Sequence, residues 1–476
     1  MSTPTRTIWM NVTTSANWQR PPVGIVRVER SLNAELAKLY GATLRQCIWQ
    51  GQQFVAWAPE SKIEAHRDAL QTTSQPSTQK AQTDLPAVLP ILPKRQALKA
   101  LAQSLLSLMP GRLQPATNRL LHALKPRFAR WLERYMQKKL AARSRQLVDG
   151  SLPEITEKPI ELDAMSEIFA PGDILISVGL DWDYPYYKEF YKLRQSSKIK
   201  IVTCCYDLIP VLYPQYCVGD VAALFTSYFL DVADGSDLVL CISRQSEKDL
   251  NEMLFRTGGA RPPTWVFPLG DNVPQADEHG VSENVQDLCK QPFILFVSTI
   301  ERRKNHEILY RAYHLLSAAG HKEKLPKLVF VGMQGWGVGD LMKDIELDPL
   351  TKGLIVQLNS VSDAELRSLY EASMFCVFPS LYEGWGLPVG EALAMGKVVL
   401  ASDRGSLPEV GGDLVKYIDP WSPHAWAQAI LEIVEDSQGR QDWEKKVRER
   451  YHIRTWQSAA RSVQTALEKL RAPPAI

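Results

Sequence analysis

The chain has 476 residues, 45% of them apolar and 23% charged, with a net charge of +2. That length suits two or three domains of ordinary size, and the composition is globular rather than disordered or fibrous. No apolar run approaches the ~18–20 residues that span a bilayer, the first residues lack the regions of a secretory leader, and seven cysteines without a paired CxxC spacing argue against a disulfide framework or a zinc site.

The expectation is therefore a cytoplasmic protein. Cys204, Cys205, Cys241 and Cys376 fall in apolar, strand-like runs and read as inert core thiols. Thr7–Val12 reads as a buried first strand. Gly24 then precedes a helix whose apolar positions 25, 28, 32, 36 and 39 share one face. A strand, a loop with glycine and a helix open doubly wound folds. Residues 71–86 are polar and poor in aromatics, as a loose connector is.

A basic helical insertion is expected over about 87–150. Between Lys94 and Arg145 stand 13 Lys and Arg against one acid, Glu133, so the rest of the chain is net acidic. One helix is predicted over about Gln96–Met109 and a longer one over about Pro115–Arg145, kinked or divided at Pro126. On the second, Leu121, Leu124, Phe128, Trp131, Tyr135 and Leu140 recur at helical spacing among arginines and lysines. Such a helix packs on the body with its charges solvated, or binds nucleic acid, or binds anionic lipid. No nucleic-acid recognition motif is present. An inner-membrane lipid surface, worth about 1 kcal/mol per basic side chain, is the preferred partner for 94–145.

Strand–turn–helix alternation resumes after Pro159. Strands are expected at Asp173–Val178, Ile199–Cys205, Leu238–Ile242 and Trp265–Leu269, with a helix starting at Ser243-x-x-Ser246. A polar, acidic linker follows over 271–290. Phe293–Val297 is a parallel-sheet strand by its unbroken hydrophobicity, and further strands are expected at Lys327–Val331, Leu354–Leu358, Phe375–Phe378 and Lys397–Ala401. A helix from Thr455 to Leu470 closes the chain. This pattern predicts an α/β fold of two Rossmann-like, doubly wound domains. The first is assigned to residues 1–272, the second to 285–454, and the final helix to 455–476.

Two segments carry chemistry. Glu301-Arg302-Arg303-Lys304-Asn305-His306 puts three cations at a strand-to-helix turn, where open parallel sheets bind ligands. Cations there oppose the positive end of the helix dipole, which suggests an anion to offset them. His306 reads as structural. Ser380–Ala392 runs from a strand through Gly384, Trp385 and Gly386 into a helix opening at Leu387-Pro388, an anion-binding corner. Glu383 and Glu391 flank it, although glutamates near a helix start are also favoured by the dipole alone. Phosphate donors beside hydroxyl acceptors suit a nucleotide-sugar. Asp207, in Tyr206-Asp207-Leu208-Ile209-Pro210, is either functional or a helix cap. Asp181-Trp182-Asp183 spells a metal-type pair, but it lies far from the expected phosphate corner and reads better as an acceptor-facing loop.

The second segment resembles the donor signature of retaining, GT-B-type glycosyltransferases of family 4 (group 1): Glu, seven residues, Glu, within Pro-Ser-x-x-Glu-Gly-x-Gly-Leu-Pro-x-x-Glu-Ala. Trp385 stands where that family usually has Phe. The resemblance is dense over the second half of the chain and sparse over the first. It implies a cleft between the two domains, with the last helix returning to the N-terminal one. Arg303 and Lys304 would clamp the donor diphosphate, with Thr299 in place of a further arginine. Glu391 would accept from the ribose, Glu383 would face the transferred sugar, and the backbone of Gly384, Trp385, Gly386 and Leu387 would hold sugar and phosphate oxygens. Gly24, in a Gly-Ile-x-Arg segment, would face the phosphates, and Gly335-Trp336 and Val361-Ser362-Asp363 would form a nucleotide rim. Glu383, Asp207 and Lys304 are the catalytic candidates. Tyr206 (in place of a histidine), Trp182 and Asp183 are the acceptor-side candidates.

No metal or other cofactor is expected, since Arg303 and Lys304 take the metal's part. The pattern looks most like bacterial mannosyltransferases. It points to GDP-mannose or a GDP-deoxyhexose as donor and a membrane-linked oligosaccharide as acceptor, in surface-polysaccharide synthesis at the inner face of the cytoplasmic membrane. The alternatives are a UDP-sugar enzyme of the same mechanism and a non-catalytic partner subunit, the latter motivated by Tyr206 and Thr299.

Overall fold

A computed structural model describes residues 6–19, 24–57, 168–273 apart from 218 and 220, and 280–471. The polar connector, the basic insertion and both helices expected within it lie outside the described residues.

The first lobe is a seven-stranded sheet. Its strands are β1 (Ile8–Asn11), β2 (Leu44–Gln50), β3 (Gln53–Trp57), β4 (Ile174–Ser177), β5 (Lys200–Cys205), β6 (Leu238–Cys241) and β7 (Thr264–Val266). They lie in the order β3-β2-β1-β4-β5-β6-β7, parallel except for the β2–β3 pair. The second lobe holds β8 (Phe293–Val297), β9 (Lys327–Val331), β10 (Ile355–Leu358), β11 (Phe375–Phe378), β12 (Val399–Ala401) and β13 (Lys416–Tyr417). Its order is β10-β9-β8-β11-β12-β13, with every pair parallel. Both are Rossmann-like sheets, in which the order reverses beside the first strand.

The hydrophobic runs explain this layout. β1, β4, β6 and β11 are buried at every residue, as strands covered by helices on both faces must be. Cys47, Cys204, Cys205, Cys241 and Cys376 are free, buried thiols, and burial pushes Cys376 up to about 12. The β2–β3 hairpin was not anticipated. It turns on Gly51 and Gln52, both with φ > 0, the geometry that joins twisted strands in two residues. The expected 271–290 linker includes a helix, Glu283–Cys289, joined to the second lobe where Ser282 Oγ donates to Glu365.

The helices that position the site are α1 (Gly24–Tyr40), α2 (Arg244–Thr257), α3 (His306–Ala318), α4 (Leu387–Ala394), α5 (Pro423–Glu435) and α6 (Trp456–Arg471). Helix α6 packs on α1 in the first lobe. Trp265 Nε1 donates to Ser462 at 3.1 Å, and Lys469 lies 4.4 Å from the Trp265 ring. The two chain crossings between lobes are joined to each other. Buried Asp271 accepts from the Arg454 backbone N–H at 2.8 Å, from its guanidinium at 3.0 Å, and from Tyr451 Oη. No described helix is long and apolar enough to cross a membrane.

Candidate functional site

The order reversal in the second sheet falls between β8 and β11, so the loops leaving those strands meet in one crevice. The loop after β8 carries the cations; the loop after β11 carries Glu383. Leu381 N–H donates to the Arg303 carbonyl at 2.8 Å, and Asn305, at φ +61°, donates to Pro379 and Pro420 carbonyls. These bonds lock the two loops together.

Glu383 lies at the centre. Lys304 Nζ donates to its Oε1 at 2.6 Å and Arg303 Nη1 to its Oε2 at 2.9 Å. Arg303 also donates to Glu301 at 2.8 Å and to the Tyr382 carbonyl at 2.7 Å. Burial alone would push the Glu383 carboxyl up, but Lys304 and Arg303 outweigh it and hold the group at about 2. Burial pulls Lys304 below the usual ammonium range, against the pull of Glu383. In this state the cation pair is neutralised by carboxylates. The Lys304 ammonium has three donor positions, however, and its hydrogen bond to Glu383 uses one.

Helix α4 points its N-terminus into the same crevice. Gly386 sits at φ +104°, and a Cβ there would stand 2.6 Å from Leu407, so glycine is required to turn the loop into the helix. Gly384 is constrained differently. A Cβ on it would lie 2.6 Å from the Tyr206 carbonyl and 2.8 Å from Asp207 Cβ, so the first lobe already fills the space that the glycine opens. Ser246 Oγ, at the start of α2, donates to the Tyr206 carbonyl at 2.7 Å. The carbonyls of Glu383 and Trp385 are both held by Ser406 Oγ, at 3.1 and 2.9 Å.

Glu391 is buried on α4. Its Oε1 accepts from Arg27 Nη1 at 2.6 Å and its Oε2 from Tyr370 Oη at 3.0 Å. Arg27 belongs to the first lobe and also donates to the Asn272 carbonyl at 3.0 Å. A carboxylate assigned to a ribose therefore also ties the lobes together. The sequence reading gives Arg27 no role, although it is the arginine of the Gly-Ile-x-Arg segment. An arginine in the first turn of an otherwise apolar helix face was the available signal. Gly24 opens α1 at the surface, with open space around its α-carbon.

Trp385 is 5% exposed, with the Arg454 guanidinium 5.4 Å from its ring. Its side chain is thus part of the crossing formed by Asp271 and Arg454, and only its backbone belongs to the loop. Asp207 is half-buried, and one oxygen accepts from Ile209 N–H at 3.0 Å, although the N-cap of that short helix is Leu208 and not Asp207 itself. Burial raises its carboxyl, with Arg303 pulling the other way.

The acceptor-side candidates separate. Tyr206 is 7% exposed, its ring sits in the core, and its hydroxyl donates to the Val178 carbonyl. Trp182 packs edge-on against Tyr228 at 5.7 Å and tilted on Phe225 at 5.1 Å. Asp183 is exposed. Asp181 is buried instead, accepting from Ser177 at 2.8 Å and Tyr186 at 2.7 Å, and burial pushes it up to about 6. Among the described residues no group of three His, Cys, Asp or Glu is placed to hold a metal. His306 is buried between Phe296 and Phe330, and burial lowers it to about 3, as befits a neutral core group.

The chain is similar to known proteins. The family described as glycosyl transferases group 1 matches residues 283–450. O-antigen chain mannosyltransferase B of Escherichia coli is 30% identical over 261 residues, 54% of this chain and 67% of that protein. The serotype-specific mannosyltransferase WbdA of Escherichia coli is 29% identical over 286 residues, 56% of this chain and 34% of that protein, so the match spans about a third of that relative's length. Two solved structures resemble the fold. The N-terminal domain of Candida albicans trehalose-6-phosphate phosphatase has a TM-score of 0.58 at 13% identity, covering 98% of this chain and 97% of that one. Anabaena HepE in complex with UDP has a TM-score of 0.52 at 14% identity, covering 98% and 100%.

Proposed function

Because this chain belongs to the group 1 glycosyltransferases, we propose that it is a retaining, metal-independent hexosyltransferase of bacterial surface-polysaccharide synthesis. Its donor is GDP-mannose or a GDP-deoxyhexose, and its acceptor is a membrane-linked oligosaccharide presented at the cytoplasmic face. Both relatives are named as mannosyltransferases, which supports the sugar, and one is named for the O-antigen chain, which supports the process.

One observation carries the chemistry: Arg303 and Lys304 converge on Glu383 beside the tip of α4. In the reaction, the bond from the sugar's anomeric carbon to the β-phosphate oxygen breaks and its electron pair leaves with the diphosphate. Lys304, Arg303 and the tip of α4 stabilise that charge without reorganising. They offer the electrostatic help that a divalent cation gives in other phosphate sites. Freed from part of its pairing, Glu383 stabilises the positive charge developing on the ring. Asp207 orients the acceptor hydroxyl, whose oxygen bonds to the anomeric carbon from the same face while its proton passes to the departing phosphate oxygen. Glu391, fixed by Arg27 and Tyr370, accepts from the ribose.

The test is a panel of GDP- and UDP-sugars read by release of nucleoside diphosphate, with and without EDTA, and by the anomeric configuration of the product. Turnover of a GDP-hexose that survives EDTA with retention is expected. Turnover of UDP-sugars alone replaces the donor assignment, and no turnover of any donor leaves a non-catalytic partner subunit.

A further inference from the structure

The mouth of the cleft carries aromatic surface outside the Arg303–Lys304–Glu383 centre, and it includes Trp336, which the family resemblance would put on a nucleotide rim. Trp336 is 43% exposed, in the loop after β9. That loop lies directly on the cationic turn: a Cβ on Gly335 would stand 3.1 Å from the Ile300 carbonyl, and one on Gly337 would stand 3.0 Å from the Arg302 side chain. The indole N–H reaches across the cleft to the Tyr216 carbonyl at 2.9 Å. Tyr213 and Tyr216 of the first lobe stack at 5.9 Å, 26° from parallel. Tyr213 also meets Tyr382 at 4.8 Å, and Tyr382 is the residue before Glu383. Its ring is fixed from behind, where its hydroxyl donates to Asp249.

These rings form a strip that runs from the mouth to the reacting centre and draws on both lobes. Each side chain in it is held at an edge or by a neighbour, so the exposed faces are presented in a set orientation. A large, exposed indole contributes little to the core, and exposed apolar surface in a cleft usually marks a ligand site. Hexoses offer the complementary shape: apolar C–H faces to stack on rings, with hydroxyls at the edge for phenol and indole groups.

We propose that Tyr213, Tyr216 and Trp336 form an acceptor subsite that stacks the terminal sugar units of an oligosaccharide and delivers the end unit to Asp207. The proposal rests on the glycosyl-transfer reading and adds where the acceptor lies. The segment supports that direction, because Tyr213 follows Asp207 by one short helix, Ile209–Leu212. A glycan fits better than a nucleobase, since two of the three rings stand on the lobe opposite the cations that would hold the nucleotide.

The test uses the full chain and two sets of probes, mannotriose and the nucleotides GDP and UDP, in calorimetric titrations. Trp336→Ala and Tyr213→Ala are expected to weaken mannotriose binding about fivefold to tenfold, while the affinity for whichever nucleotide binds shifts by less than about twofold. Trp336→Phe, which keeps a ring but loses the N–H to Tyr216, is expected to retain most of the affinity. Thermal melts confirm that each variant is folded. Loss of nucleotide affinity with mannotriose binding intact overturns the proposal, because the rings then serve the base. No change in either titration, or no mannotriose binding by the wild-type chain, overturns it too. If mannotriose responds as expected but no nucleotide-sugar is turned over, the subsite stands and the transferase reading falls.

Discussion

Glu29 gives a quantitative prediction that does not depend on activity. It is 1% exposed on α1, and its Oε1 accepts from Ser15 N–H at 2.7 Å. Burial pushes its carboxyl from the usual 4.5 up to about 7, with the hydrogen bonds from Ser15 pulling down and the charge of Asp181 pushing up. Below pH 4.5 the carboxyl is protonated in both folded and unfolded chains, and the shift has no effect. Between 4.5 and 7 the unfolded chain gives up its proton first, so stability falls as pH rises. Above 7 the folded chain carries the whole cost, about 3 kcal/mol at about 1.4 kcal/mol per pH unit. Glu29→Gln keeps the acceptor for Ser15, and Thr14 stands beside the second position to take the amide. The variant should therefore gain about 1–3 kcal/mol at pH 8, or roughly 1–3 °C in Tm for a chain of 476 residues, and almost nothing at pH 4.5. Differential scanning calorimetry at the two pH values measures this directly. An equal shift at both, or a loss at pH 8, refutes the reasoning and means that the ionised carboxylate is needed where it is.

Other expectations follow from single contacts. Glu383, held at about 2, contributes ion-pair stability above pH 4.5 that is lost as pH falls toward 2; Glu383→Gln should cost about 3 kcal/mol in urea unfolding at pH 6 and much less near pH 3. Arg27→Ala removes the cross-lobe pair with Glu391 and should let the lobes separate, so the radius of gyration from small-angle scattering should rise; an unchanged radius counts against the pair as a tie. Deleting 94–145 should abolish sedimentation with anionic vesicles, and undiminished sedimentation contradicts the lipid assignment.

Much of this architecture was legible because parallel strands are buried on both faces and read as unbroken apolar runs. Phe293–Val297, Lys327–Val331 and Phe375–Phe378 fall where their hydrophobicity put them. The β2–β3 hairpin escaped notice because its residues mix buried positions, such as Cys47 and Phe54, with half-exposed polar ones, so neither rule of periodicity is satisfied. Within the site, local pattern located the cationic turn and the glycine loop, and the sheet order brings them together. Their partners were not legible. Arg27 and Glu391 are 364 residues apart, and Asp271 and Arg454 are 183 apart; such pairs depend on how two lobes close, which no local spacing encodes. Tyr206 illustrates the same limit. A tyrosine at the end of β5 can point to the cleft or the core, and here its hydroxyl donates to the Val178 carbonyl just past the neighbouring strand β4.

In the proposed function, Lys304 and Arg303, with the tip of α4, hold the diphosphate of the leaving group. The most direct measurement of this role is the affinity of the chain for a nucleoside diphosphate against the matching monophosphate, in wild type and in Lys304→Ala. The wild-type chain is expected to prefer the diphosphate, and Lys304→Ala to erase most of this preference while binding the monophosphate as before and lowering kcat by about 10²–10³-fold. A Lys304→Ala protein that is folded and keeps the full preference for the diphosphate contradicts that role.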